Sequence, residues 1–234
     1  MQLELTVPGG TLPVTVRALE GPPRTAVIVV QEAFGVTDHI ADVAGRLAAA
    51  GHLALAPHLF HRTGDPVLGY DDLPAIWPHF SALTAEGIAA DLDACLAHLA
   101  GQGVGPAAVG VVGFCMGGTV ALAEAARLPL GAAVTFYGGG VAEGRFGYPS
   151  LVELAPGLQT PWLGLYGDRD AGIPVEQVEA LRAAAAPSPL PTEVVRYDAD
   201  HGFHCDARPT AYDAAAAADG WARCLDWLKR HLRP

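Results

Sequence analysis

The sequence predicts an α/β chain: a mostly parallel sheet, opened by an antiparallel hairpin and covered by helices on both faces. Three observations predict it. Short continuous apolar runs, as in strands buried on both faces, alternate with stretches of helical spacing from residue 26 onward. An alternating apolar pattern around a Gly-Gly turn precedes them. The length of 234 residues suits one such domain, and 51% hydrophobic against 17% charged residues leaves ample material for a core and argues against disorder. Residues 1–234 are therefore read as a single domain, without an internal repeat or a dividing linker.

The elements follow in order. Leu3–Val7 and Leu12–Ala18 form the hairpin around Gly9-Gly10, and Ala26–Val30 is the first buried strand. Val36–Gly51 has helical spacing and ends on a glycine, and His52–Ala56 is the next strand. Residues 57–84 are rich in Pro, Gly, His and aromatics with no clean period, which reads as a loop or lid over a site. Ala85–Ala100 is a helix, Ala108–Gly113 a strand, Gly117–Arg127 a helix and Gly131–Phe136 a strand. Pro161–Tyr166 and Thr192–Tyr197 are strands flanking the helix Val175–Ala186, and the Ala-rich Ala211–Leu232 closes the chain as a long helix.

Charge and cysteine content narrow the partners. A net charge of −11 opposes nucleic acid, whose phosphates need a basic face. No segment is apolar for long enough to span a bilayer, and the first residues lack the basic-then-apolar pattern of a signal peptide. The expected location is cytoplasmic, where Cys95, Cys115, Cys205 and Cys224 are read as thiols and not as two disulfides. His58-x-x-His61 and His201-x-x-His204-Cys205 have ligand-like spacing, but the paired Cys-x-x-Cys and His-Glu-x-x-His patterns are missing, so no metal is expected.

The chemistry concentrates at Gly113-Phe114-Cys115-Met116-Gly117-Gly118, between a buried strand and a helix. This is a nucleophile elbow: small flanking residues let the strand turn sharply into the helix and hold the nucleophile at the tip. The helix N-terminus favours a thiolate and offers backbone N–H groups to an oxyanion, the Met116 N–H first among them. An inert buried cysteine beside a tight turn is the alternative for Cys115. A thiol nucleophile needs a base, and the base an orienting acid. His201 and either Asp170 or Asp168 follow in the chain order nucleophile, acid, histidine, each just after a strand, and position alone leaves the two aspartates open. The loop after the strand Ala26–Val30 supplies a second oxyanion donor in such enzymes, here the Ala33 N–H. Glu32 beside it would hold the thiol proton until substrate arrives, or else pair with an arginine such as Arg62.

The strings QEAFG (31–35), GFCMGG (113–118), GDRDAGIP (167–174) and HGFHCDARPTAY (201–212) resemble the dienelactone hydrolases, or carboxymethylenebutenolidases, over nearly the whole chain. The resemblance implies an α/β-hydrolase fold with no metal or organic cofactor, acting on a small-molecule ester or lactone as a monomer or weak homo-oligomer. It implies Cys115 as nucleophile, His201 as base, Asp170 as acid, four residues before Pro174, and Glu32 as the group controlling the cysteine proton. Arg62, in Pro57-His58-Leu59-Phe60-His61-Arg62, matches the family's Pro-Asp-Leu-Tyr-x-Arg stretch and is a candidate for substrate binding, with Tyr137 as a pocket wall. Family members that act on dienelactone grip its carboxylate with arginines, one in the lid and one soon after the histidine. Here residues 67–85 contain no Arg or Lys, and His204-Cys205 stands at the second place. A thiol-dependent lyase or glyoxalase-like enzyme, or a non-catalytic binding relative, would use the same elbow differently.

Overall fold

A computed structural model describes residues 1–18 and 20–234. Eight strands form one sheet in the order β1-β2-β4-β3-β5-β6-β7-β8. β1 (Gln2–Val7) and β2 (Gly10–Arg17) are the antiparallel hairpin, and β2 also runs antiparallel to β4 (Leu53–Pro57). β3 (Ala26–Val30), β5 (Val109–Phe114), β6 (Ala132–Phe136), β7 (Trp162–Gly167) and β8 (Thr192–Tyr197) complete the parallel part. Every residue of β3, β5, β6 and β7 is buried, which is why these strands read as unbroken apolar runs.

The pleat divides the core in two. Val27 and Val29 face α1 (Asp38–Ala49) and the closing helix α7 (Ala214–His231), among Ile40, Leu47, Trp227 and Leu228. Ile28 and Val111 point the other way, toward α3 (Ala85–Gly101), α4 (Met116–Arg127) and α6 (Val175–Ala185) through Leu92, Val120 and Leu181. This is the expected mostly parallel sheet with an antiparallel entry and helices on both faces.

Helix starts are set by caps that periodicity does not see. α1 begins at Asp38 because the Thr37 hydroxyl accepts the Ile40 N–H, and α7 begins at Ala214 because the Asp213 carboxylate accepts from Ala215 and Ala216. The segment 57–84 is a correction. It holds a helix, α2 (Leu73–Ser81), capped by Asp72, as well as a 3₁₀ turn over His61–Thr63. Pro74 and Pro78 hide α2 in the sequence, since proline reads as a breaker: Pro74 fits the first turn, whereas Pro78 lies inside the short helix. A four-residue helix, α5 (Leu151–Leu154), also forms behind a capping box of Ser150 and Glu153.

Candidate active site at the carboxyl edge of the sheet

β5 ends at Phe114 and α4 begins at Met116, so Cys115 alone makes the turn, at φ 54° and ψ −113°. A non-glycine residue held there stores about 1–3 kcal/mol. The neighbours make it feasible: a Cβ at Gly113 would strike the Gly117 carbonyl, and one at Gly117 would strike the Val30 carbonyl. Hydrogen bonds pin the turn, from the Cys115 N–H to the Phe136 carbonyl (3.0 Å) and from the Gly118 N–H to the Cys115 carbonyl (3.0 Å). All four cysteines are free, and Cys115 is the one that is not buried. Burial pushes the Cys95 thiol up to about 12 and the Cys205 thiol up to about 11.

His201 lies in the loop after β8, and its Nδ1 stands 2.6 Å from Asp170 Oδ2. Asp170 is buried in the loop after β7, where its Oδ1 accepts the Gly172 N–H at 2.8 Å. Asp168 turns outward instead, accepting from Arg196 at 2.6 and 2.9 Å. Burial opposes a charge on His201, but the Cys115 sulfur and the Asp170 carboxylate outweigh it and push the imidazole up to about 10.

Glu32 is fully buried after β3. Its Oε1 accepts the Tyr137 hydroxyl at 3.4 Å, and its Oε2 has no hydrogen-bond partner among the described residues. Burial raises its pKa against the opposing fields of His39, Arg208 and His201. Tyr137 follows β6 at φ 40°, and its ring centroid lies 5.1 Å from that of His201. Arg208, seven residues past His201 in the chain, lies over the Phe34 and Tyr70 rings at 5.7 and 5.8 Å, close enough for its charge to act on Glu32. The N–H groups of Ala33 and Met116 donate to no backbone carbonyl among the described residues.

Arg62 lies elsewhere. Its guanidinium grips the buried Asp91 carboxylate at 2.8 and 2.9 Å, alongside His61 at 3.2 Å, and it pairs with Asp91 and not with Glu32. His58 binds Asp65 at 2.8 Å, so the two histidines of the 58–61 spacing face different acids. His201 and His204 likewise diverge, the latter packing against Phe114, Phe136 and Trp221.

Cys115, Asp170 and His201 line a cavity of about 350 Å³ together with Gly139, Ile173 and Arg145. Arg145 is the residue that sequence reasoning missed. Its available signal was position: an arginine just beyond the Gly138–Gly140 run that follows a buried strand, at the sheet edge where α/β sites form. A cavity of about 470 Å³ sits at the opposite, amino-terminal edge of the parallel strands, beside Arg24, His52 and His98, but no nucleophile faces it. Chemistry, not volume, selects the site.

An elbow residue, a buried acid–histidine contact and a parallel sheet in this strand order define an α/β-hydrolase, an enzyme class that cleaves ester and lactone bonds. The comparisons agree. The family model of the dienelactone hydrolase family matches residues 13–232, and the chain belongs to that family. An Escherichia coli K12 protein provisionally named a carboxymethylenebutenolidase is 40% identical over 213 residues, covering 89% of this chain and 78% of its own length. A Rhodococcus opacus carboxymethylenebutenolidase is 31% identical over 213 residues, covering 88% and 81%. Among solved structures, a Klebsiella pneumoniae protein provisionally named a dienelactone hydrolase superposes with a TM-score of 0.87 at 38% identity, covering 99% of both chains. No helix among the described residues is long and apolar enough to cross a membrane.

Proposed function

We propose that the chain hydrolyses a small-molecule ester or lactone through a Cys115–His201–Asp170 triad and an acyl-enzyme. The observation that carries this reading is the 2.6 Å contact between His201 and Asp170 in the cavity that Cys115 faces. Cys115 passes its thiol proton to His201, the thiolate attacks the carbonyl carbon, and the oxyanion accepts from the Met116 and Ala33 N–H groups. The C–O bond breaks as the tetrahedral intermediate collapses, and His201 protonates the leaving oxygen. A water molecule, deprotonated by His201, then opens the thioester and regenerates the thiol. Asp170 holds the imidazole in orientation throughout.

Glu32 is the reserve site for the cysteine proton. A buried carboxyl with one unpartnered oxygen and a raised pKa accepts a proton more readily than an exposed one does. Arg208 stabilises its ionised form and so balances the two states. Tyr137, fully buried and outside the lining of the cavity, anchors one carboxylate oxygen of Glu32.

Cys115→Ala and Cys115→Ser, assayed on activated esters and lactones, test the reading. Cys115→Ala lowers turnover at least about 10³-fold if the cysteine is the nucleophile. Unchanged turnover in both variants overturns it.

A further inference from the structure

Arg145 borders more than the catalytic cavity. It also lines an open groove of about 610 Å³ walled by Trp77, Phe80, Leu83 and Phe146. The rings form a continuous edge-to-face set, with centroids 5.9 Å apart for Trp77–Phe80 and 4.6 Å for Phe80–Phe146. Trp77 is 63% exposed on α2, a large apolar surface left in water beside a reactive cysteine's pocket.

The junction between the two spaces carries charge. The chain has 25 acidic and 14 basic residues, yet Arg145 makes no ion pair and its side chain donates no hydrogen bond among the described residues. Arg62 and Arg196, by contrast, are each gripped by carboxylates. The backbone makes room for this guanidinium: a Cβ on Gly139 would stand 2.8 Å from Arg145 Nη1. A cation laid on glycine backbone, facing a nucleophile on one side and an aromatic groove on the other, presents free donors where a bound substrate would pass.

We propose that Arg145 and the Trp77–Phe80–Phe146 groove form an acyl-side subsite for an elongated, amphiphilic ester. An aryl-sized apolar end of the acyl group lies on the aromatic rings, and a carboxylate between that end and the scissile carbonyl pairs with Arg145. This rests on the hydrolase reading given under Proposed function and specifies the substrate class of the same site. The groove's occupant is substrate because one side chain, Arg145, lines both the groove and the cavity that Cys115 lines.

Three para-nitrophenyl esters test it: the acetate, the succinate monoester and the benzylsuccinate monoester. The same nitrophenolate leaves from each, so differences report the acyl side alone. Arg145→Gln is expected to cut the succinate-to-acetate ratio of kcat/KM by about tenfold or more, the scale of one hydrogen bond to a charged group, with Arg145→Lys restoring part of it. Trp77→Ala and Phe80→Ala are expected to cut the benzylsuccinate-to-succinate ratio by about tenfold, chiefly through KM, as loss of an apolar contact predicts. Ratios that neither substitution moves overturn the subsite. Acetate turnover in Cys115→Ala separates the two readings: if it persists undiminished the hydrolase mechanism itself fails, and if it is lost while the ratios stay fixed only the subsite fails.

Discussion

Asp168 and Asp170 show how much one side-chain direction decides. Both lie just past the end of β7, and the carboxylate two positions before the one that meets His201 serves the surface instead. Asp168 closes a bidentate pair with Arg196, which also meets Glu179 at 2.7 Å. Asp170 is buried and spends one oxygen on its own loop and the other on His201. Asp170→Asn is therefore expected to lower kcat/KM by about 10²–10⁴-fold, the usual worth of a positioned acid–base partner, while Asp168→Asn changes it little. Steady-state kinetics on an activated ester check this. Equal, small effects would favour a thiol-dependent chemistry without a triad. His201 offers a second reading of the same contacts. Its pKa is raised to about 10 by Cys115 and Asp170 over the opposing effect of burial. In Cys115→Ala the sulfur's share disappears and the imidazole titration moves below about 10, measurable from the His201 ring signals by NMR. The stability that accompanies this raised value is complete below the unfolded histidine pKa of about 6.5 and is lost as pH climbs toward 10.

At the scale of elements, the elbow is a three-way contact of β3, β5 and α4. The backbone of Gly117 rests on the carbonyl of Val30, with no gap for a side chain, so the helix that follows Cys115 is held against the strand that precedes Glu32. Gly117→Ala pushes backbone against backbone, which nothing flexible can relieve. A loss of about 3 kcal/mol or more is expected, read as a lowered urea midpoint, with activity falling further because the elbow itself shifts. The turn after β4 is fastened to α3 in another way. Arg62 and His61 surround Asp91, which is inaccessible to solvent, and removing one partner strands buried charge. Asp91→Ala is expected to cost about 3–5 kcal/mol in denaturant unfolding. Its effect on catalysis should follow only from stability, since Arg62 stands outside the Cys115 cavity.

For the whole molecule, acid is the vulnerable direction. His204 is buried between the sheet and α7, against Phe114, Phe136 and Trp221, with both ring nitrogens unpartnered among the described residues. Burial, reinforced by His39 and Arg46 and opposed only by Asp206, drives its pKa down to about 3. The folded value lies below the unfolded one, so the unfolded chain takes up the proton first. Stability is full above about pH 6.5 and declines as pH falls toward 3, where the native ring finally charges. Replacing His204 with Phe should flatten that decline, seen as a smaller drop in Tm between neutral and acid pH. An unaltered slope would assign the acid sensitivity to other groups.

The sequence by itself determined the layered α/β architecture and the address of the candidate site. Unbroken apolar runs of five or six residues bounded by turn residues are too short for buried helices and fit strands covered on both faces, and a Gly-x-Cys-x-Gly between such a run and a helix matches the nucleophile elbow. It also placed Cys115, His201, Glu32 and the pair Asp168 and Asp170 just past the ends of strands, which the sheet brings to one edge. Tertiary structure decided what local pattern cannot encode. Helix α2 was hidden by Pro74 and Pro78, whose breaker character depends on where in the helix they fall. Arg62 went to Asp91, twenty-nine residues along the chain, because pairing partners are set by packing and not by spacing. Arg145 joined the pocket only when the glycine run after β6 folded back beside Cys115. The physical reason is common to the two arginines: periodicity reports which face of an element is apolar, whereas the direction of a single charged side chain depends on neighbours that only the folded chain brings near.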